Sequence, residues 1–139
     1  DPPTLERMNV DRFKRYAQII ENEQRAEEYM CDDADIIVVA FGASSRVSRS
    51  AVDKARADGI KVGLIRPITL WPFPTKPIKA AAEKCKRFIT VEMNMGQMID
   101  DVRLAIECKR PVELCNRVGG MIPTPEDVLS TIMSNGGVE

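Results

Sequence analysis

The 139-residue sequence contains no histidine and one tryptophan, and aromatic residues make up only 5% of it. Without an imidazole, neither a Ser–His nor a Cys–His nucleophilic pair can form, which excludes the hydrolytic mechanisms that use them. A net charge of −1 excludes the strongly basic surface typical of nucleic-acid-binding proteins. No apolar run approaches the roughly 20 residues that span a bilayer. We therefore expect neither a nucleic-acid partner nor a membrane segment.

Cysteine is present but never in a C-x-x-C pair; the four residues are Cys31, Cys85, Cys108 and Cys115. Zinc sites and iron–sulfur clusters need thiolates at short spacing, or imidazoles to complete the set. We therefore predict no metal site and interpret the cysteines as small buried apolar residues in a reducing compartment. No signal peptide is recognisable, which predicts a cytoplasmic protein. The opening Asp1-Pro2-Pro3, without methionine, suggests a piece of a longer protein.

The first 33 residues differ in pattern from the rest. Residues 4–30 are helix-forming and heavily charged, which predicts a long amphipathic helix that either lies across the domain or bridges to an upstream one. We divide the chain into a helical arm, residues 1–33, and an α/β domain, residues 34–139. The apolar face of the arm consists of Leu5, Met8, Phe13, Tyr16 and Ile20.

Residues 34–139 alternate between β-branched runs and helical patterns. Such alternation indicates βαβ units, and hence a mostly parallel sheet covered on both faces, a three-layer α/β/α fold. The last helix has the clearest start, with Thr124 as N-cap, Pro125 at its first position and Asp127 completing a capping box. Strands are predicted at 34–42, 60–67, 87–92 and 111–115, and helices at 43–59, 75–86, 97–108 and 124–133.

The loops after parallel strands meet at one edge of the sheet, where ligands and partners usually bind. Here those loops are residues 42–45, 66–74, 92–97 and 116–123. Their polar and aromatic residues form the constellation most relevant to function. It comprises Ser44, Ser45, Arg46, Arg66, Trp71, Phe73, Glu92, Asn94, Gln97, Asn116 and Arg117.

Two parts of this constellation suggest anion binding. The turn at residues 42–45 precedes a helix, whose N-terminal N–H groups can hold an anion, but it lacks the spacing of a nucleotide-binding loop. We favour a serine N-cap there and keep Ser44, Ser45 and Arg46 as weak anion-site candidates. Arg66 and Arg117 either bind anions or pair with acidic residues, and we favour pairing.

The stretch "VEMNMGQM", residues 91–98, raises the question of catalysis or contact. Glu92 has neither a nucleophile nor a second carboxylate committed to work with it, so we favour a hydrogen-bonded turn carboxylate over a general base. Met98 begins an apolar stripe that packs inward, which leaves Met93 and Met95 for contact with another protein.

Trp71 and Phe73 lie between prolines in "LWPFP" and are either interface anchors or members of a satellite core. We predict no catalytic residue in the chain. The interface candidates are Trp71, Phe73, Glu92, Met93, Asn94, Met95, Gln97 and Arg117.

Three motifs in order, "VVAFGASSRVSRSAVDKARADGIKVGLIRPITLWPFP", "VEMNMGQMIDDVRLA" and "NRVGGMIPTPEDVL", resemble the C-terminal part of the alpha subunit of 2-oxoacid:ferredoxin oxidoreductases. The sequence of these motifs is most similar to the ketoisovalerate type, and the 2-oxoglutarate type is second. This resemblance implies a transketolase C-terminal-like domain. It also implies a complete enzyme that uses thiamine diphosphate, Mg²⁺ and iron–sulfur clusters to convert a 2-oxoacid to acyl-CoA, with electrons passing to ferredoxin.

In that family the thiamine cofactor lies between an upstream pyrimidine-binding domain and a diphosphate-binding domain on a separate subunit. This chain has neither a G-D-G…N diphosphate motif nor a cysteine cluster. The resemblance therefore implies a catalytically inert domain that supports assembly, without a cofactor of its own. The alternative from the residues alone is an independent module that binds an anion or small ligand at Ser44 and Ser45.

Overall fold

The computed structural model describes residues 1–134. Helix α1 is followed by an edge strand and then by alternating strands and helices, as the sequence pattern predicts beyond residue 34. The elements are α1 (Pro2–Asn22), β1 (Ala26–Tyr29), β2 (Ile36–Ala40), α2 (Gly42–Ala57), β3 (Val62–Pro67), α3 (Thr75–Ala82), β4 (Arg87–Glu92), α4 (Met98–Ala105), β5 (Val112–Asn116) and α5 (Pro125–Met133).

The five strands form one sheet in the order β1-β3-β2-β4-β5. Strands β2 to β5 are parallel, and only β1 runs antiparallel, against β3. The prediction of a mostly parallel sheet is confirmed. Because β2 and β4 are central, their residues 36–40 and 87–92 are covered by helices on both faces, which explains their continuous β-branched sequence.

Alternate residues of each strand enter the two halves of the core. Ile37 and Phe88 pack with α3 and α4 on one face, whereas Val38 and Ile89 pack with α2 and α5 on the other. This period of two follows from the pleat of a strand. The result is the predicted three-layer α/β/α arrangement.

The predicted helix over residues 4–30 is wrong in its last part. Helix α1 ends at Asn22, and Ala26–Tyr29 forms strand β1, whose register pairs Tyr29 with Leu64. Local propensity favoured a helix, but without β1 the outer N–H and C=O groups of β3 would be unpaired, so tertiary pairing overrides it. The arm therefore contributes a strand to the sheet, and the division at residue 33 stays a prediction.

Helix α5 starts as predicted, because the Thr124 hydroxyl accepts from the Asp127 N–H and the Asp127 carboxylate accepts from the Thr124 N–H. The predicted serine N-cap of α2 is wrong. That N-cap is Phe41, which makes no side-chain cap hydrogen bond, and the Ser45 hydroxyl instead donates to the Gly42 carbonyl, 2.7 Å away. Serine in the first turn bonds to its own helix when burial turns it away from solvent.

Candidate functional site

The predicted convergence of the strand-end loops is confirmed, because β2, β3, β4 and β5 all run in the same direction. Two hydrogen bonds tie the last two loops together. The Arg117 N–H donates to the Glu92 carbonyl at 3.2 Å, and the Asn116 side-chain amide donates to the Asn94 carbonyl at 2.7 Å. This carboxyl edge of the sheet is the candidate functional site.

Glu92 ends β4 and is only 1% exposed. Its carboxylate accepts three backbone N–H bonds, from Gln97 at 3.0 Å, Met98 at 2.8 Å and Ile99 at 2.9 Å. These are the first N–H groups of α4, which have no acceptor within the helix, and the helix dipole also favours a negative charge there. The interpretation as a hydrogen-bonded turn carboxylate is confirmed. Glu92 therefore holds the turn in shape and does not reach the surface.

The turn that Glu92 holds presents two methionines to solvent. Met93 is 48% exposed and Met95 is 79% exposed, whereas Met98 is buried as predicted. The Asn94 carboxamide oxygen accepts from the Gly96 N–H at 2.7 Å, and Gly96 has φ +103°, a conformation that glycine adopts readily. Two exposed apolar side chains are thus carried on a fixed backbone, beside the exposed amide of Gln97.

The two aromatic residues of the "LWPFP" loop after β3 have different roles: Phe73 packs in the domain, and Trp71 remains available as an interface anchor. Phe73 is partly buried against the core cluster beneath α3, so it belongs to the packing of the domain. Trp71 is 57% exposed, and its ring packs edge-on against Tyr16 of α1, with ring centroids 5.3 Å apart. Trp71 therefore anchors the helical arm on one side and still presents indole surface to solvent.

Both arginines of the edge pair with carboxylates, as we favoured. Arg66 binds Glu27 of β1 at 2.8 Å, and Arg117 makes two hydrogen bonds to Asp127 of α5. The Arg117 guanidinium and the Thr124 N–H together lower the pKa of Asp127 to about 2. Neither guanidinium group pairs with the Glu92 carboxylate, and both ion pairs link strand ends to neighbouring elements.

The anion-site candidates at the start of α2 separate into two groups. Ser44 and Ser45 are buried, and Ser45 is engaged with its own helix. Arg46 is exposed. The two hydroxyl groups therefore do not form an open anion-binding turn with the helix N-terminus.

Sequence reasoning missed several exposed apolar side chains at the same edge. The loop after β3 exposes two, and the loop after β5 exposes three. The available signal was a group of apolar residues in segments that contain proline or glycine and that follow a strand. These residues are Ile68, Leu70, Val118, Met121 and Ile122.

The cysteines are all free thiols, but the prediction that they are buried holds only in part. Cys85 and Cys115 are buried, Cys31 is half-buried and Cys108 is exposed. Burial raises the pKa of Cys31 and that of Cys85 to about 11. Within residues 1–134, no three His, Cys, Asp or Glu side chains are grouped so that they would hold a metal ion.

A family model described as pyruvate:ferredoxin oxidoreductase core domain II matches residues 34–128. The chain is 54% identical over 133 residues to ketoisovalerate oxidoreductase subunit VorB of Methanothermobacter thermautotrophicus, covering 96% of this chain and 38% of that relative. It thus spans well under half of the relative's length.

Two solved structures share the fold. A 2-oxoglutarate:ferredoxin oxidoreductase from Magnetococcus marinus superposes with a TM-score of 0.76 and 24% identity, covering 95% of this chain and 23% of that one. A split-gene transketolase, described as an inactive tetramer of four beta subunits, superposes with a TM-score of 0.67 and 18% identity. The match covers 78% of this chain and 40% of the transketolase chain. The predicted transketolase-like fold and the resemblance in the sequence are both confirmed. The chain belongs to the pyruvate:ferredoxin oxidoreductase core domain II family.

Proposed function

We propose that this chain is a non-catalytic assembly domain of a thiamine-diphosphate-dependent 2-oxoacid:ferredoxin oxidoreductase. The observation that carries the proposal is the carboxyl edge of the sheet, where a rigid turn exposes Met93 and Met95. The one buried carboxylate among residues 1–134, Glu92, accepts three backbone N–H bonds there. An edge of this kind offers contact area and no free general base.

The apolar side chains of the edge support contact with another subunit. Met95 and Met121 are largely exposed and lie in the neighbouring loops after β4 and β5, which Asn116 ties together. Methionine adapts its shape to a partner, and exposed apolar side chains grouped on neighbouring loops are typical of protein contacts. Trp71 adds an aromatic anchor at the end of β3. The partner is another subunit of the oxidoreductase.

Helix α1 supports a second contact, with the pyrimidine-binding domain that precedes this region in the family. None of its residues is buried in this chain, although Leu5, Phe13 and Ile20 lie on its apolar side. Its C-terminal end is held by Lys76 bound to Glu21 and by the Tyr16–Trp71 contact. An amphipathic helix that leaves its apolar face uncovered needs a neighbour to cover it.

The cofactors of the complete enzyme belong to its other domains and subunits in this proposal. Mg²⁺ bound to a diphosphate takes free carboxylates, and iron–sulfur clusters take grouped thiolates. The described residues do not fit either group, since Glu92 is committed to α4 and Cys85 and Cys115 are separately buried. Coenzyme A and ferredoxin likewise act with the complete enzyme, in the cytoplasm. Among residues 1–134, no helix is both long and apolar enough to cross a membrane.

For the substrate we propose 2-ketoisovalerate, with 2-oxoglutarate as the alternative. The support is the 54% identity over 133 residues to a ketoisovalerate oxidoreductase subunit, compared with 43% over 102 residues to the 2-oxoglutarate synthase subunit KorA of Methanothermobacter marburgensis. Substrate choice then rests with residues outside this chain, because its strand-end loops provide no free catalytic group.

Calorimetry of the chain tests the assembly role against that of an independent ligand-binding module. Titration with thiamine diphosphate and, separately, with coenzyme A is expected to give no binding heat, whereas titration with the other subunits of the oxidoreductase gives saturable association. Micromolar binding of either cofactor to the chain alone, without association, would favour the ligand module.

A further inference from the structure

A second concave surface lies on the sheet face that α2 covers, away from the methionine turn. Residues of β1, β3 and the first two turns of α2 line a groove of about 380 Å³ there. This volume is at the small end of the range for small-molecule sites. The groove is lined by Glu27, Glu28, Tyr29, Ser45, Arg46, Arg49, Leu64 and Arg66.

Two arginines of this groove, Arg46 and Arg49, pair with no carboxylate within residues 1–134. Arg46 and Arg49 are three residues apart in α2, so they project from the same side of the helix. Instead of a carboxylate, Arg49 interacts with the ring and the hydroxyl of Tyr29. Elsewhere in the sheet domain, Arg56 binds Asp33 and Arg87 binds Glu113. Two neighbouring guanidinium groups with open N–H donors are a natural receptor for an oxyanion.

Tyr29 holds Arg49 in position. The Arg49 guanidinium carbon lies 3.9 Å from the centre of the Tyr29 ring, a cation–π contact. The Tyr29 hydroxyl donates to Asp53 at 2.7 Å, and this bond fixes the ring from behind. Arg66 is held by Glu27 at 2.8 Å. Tyr29, Arg49 and Arg66 are thus held in place before any ligand arrives, which lowers the entropic cost of binding.

We propose that this groove binds a small monocarboxylate, with its carboxylate between Arg46 and Arg49 and its apolar body against Tyr29 and Leu64. Charge favours one carboxylate over a phosphate dianion. Three arginines face two glutamates in the lining, and the Asp53 carboxylate lies behind Tyr29, so a single negative charge meets less repulsion than a dianion does. The groove shares Arg46 and Arg66 with the carboxyl edge but does not include Met93 or Met95, so it does not depend on the assembly role.

Amide and arginine side-chain ¹⁵N NMR of the chain tests this proposal, with isobutyrate as the probe and isobutyramide as its neutral counterpart of the same shape. Isobutyrate is expected to shift resonances of Tyr29, Arg46 and Arg49 saturably, beyond the effect of equal sodium chloride, and isobutyramide is expected not to. Arg46→Gln is the first variant, because this side chain makes no contact on which the fold depends. We expect it to weaken isobutyrate binding about tenfold, as loss of a charge-assisted bond does.

Arg49→Gln is expected to weaken binding by a similar factor. Arg46→Lys should weaken it by less, because lysine keeps the positive charge and loses only the paired N–H donors of the guanidinium group. Arg103→Gln, on α4, is the matched control and should bind as the wild type does. The proposal is overturned if isobutyrate and isobutyramide shift the same resonances equally, or if Arg46→Gln and Arg103→Gln bind alike. Tighter binding of inorganic phosphate than of isobutyrate at pH 8 would overturn the assignment to a monocarboxylate.

Discussion

The Glu92 carboxylate and the Met98 backbone nitrogen lie 2.8 Å apart, in a bond that joins the end of β4 directly to the start of α4. With the bonds to Gln97 and Ile99, it closes residues 92–99 into a rigid turn. Between the bonded residues lie Met93 and Met95, whose side chains are exposed to solvent. A buried anion therefore determines how an apolar surface is presented.

Replacing Glu92 with Gln should destabilise the domain strongly. A glutamine keeps one acceptor oxygen but puts an NH₂ group against N–H donors, so at least one buried donor of α4 is left unpaired. We expect a loss of about 2–4 kcal/mol in the free energy of unfolding, measured by urea denaturation followed by circular dichroism. Asp100→Asn, in the same first turn but exposed, is the control and should cost less than about 1 kcal/mol. Equal effects of the two changes would show that the Glu92 bonds are not important for stability.

Gly63 of β3 should tolerate no side chain. A Cβ there would lie 2.7 Å from the Met30 carbonyl oxygen and 2.9 Å from the Cys31 Cα, where the chain leaves β1. We expect Gly63→Ala to cost about 1–3 kcal/mol by overpacking, measured by denaturation. Adding Cys31→Ala should not restore stability, because the nearest contacts are backbone atoms. A stable Gly63→Ala protein, or rescue by Cys31→Ala, would contradict this account of the crossing.

The contact between Trp71 and Tyr16 should couple the helical arm to the edge. A double-mutant cycle with Tyr16→Ala and Trp71→Ala is expected to give a coupling energy of about 0.5–1.5 kcal/mol, the usual range for an aromatic pair. The same cycle between Leu5→Ala and Trp71→Ala should give none, since Leu5 lies three turns away along α1. Additive effects of Tyr16→Ala and Trp71→Ala would show that α1 is not held at this point.

Asp127 should make the stability of the domain depend on acidity. Its pKa is lowered to about 2 from the ordinary 3.8, chiefly by the hydrogen bonds from the Arg117 guanidinium. The stability contributed by the Asp127–Arg117 pair is therefore present above pH 4 and is lost as the pH falls toward 2. The melting temperature of the wild type should therefore exceed that of Asp127→Asn at pH 6, and the difference should shrink by pH 2. A difference that stays constant across this range would contradict the assigned pairing.

The parts of the fold that were predictable from sequence are those in which local pattern and tertiary environment agree. Strand β4 was predicted at residues 87–92, as observed, because a buried parallel strand is apolar on both faces. The capping box of α5 is encoded within four residues, Thr124 to Asp127. Strand β1 was missed because Ala26–Tyr29 has helix-forming residues, and its strand conformation depends on pairing with β3, about 40 residues away.

The candidate site was predictable to the level of its loops. Parallel strands require that their C-terminal loops converge, so Met93, Trp71 and Arg117 were expected at one edge. Pairing partners were not predictable, since Arg66 binds a glutamate of the unpredicted strand β1. Ser45 and Arg46 were expected as weak anion-site candidates, but the groove that they share with Arg49 was not predicted, because β1 forms one of its walls.

The molar mass of the complete oxidoreductase carrying Met93→Asp and Met95→Asp, measured by light scattering after size exclusion, tests the assembly role most directly. We predict that the altered subunit is folded, with an unchanged melting curve by circular dichroism. We expect it to separate from its partners, because docking would bury two unpaired charges. Leu104→Asp, at the far end of α4 and 76% exposed, should assemble normally. A complex of full mass with both aspartates present, or loss of the fold itself, would contradict the proposal that this turn is a docking surface.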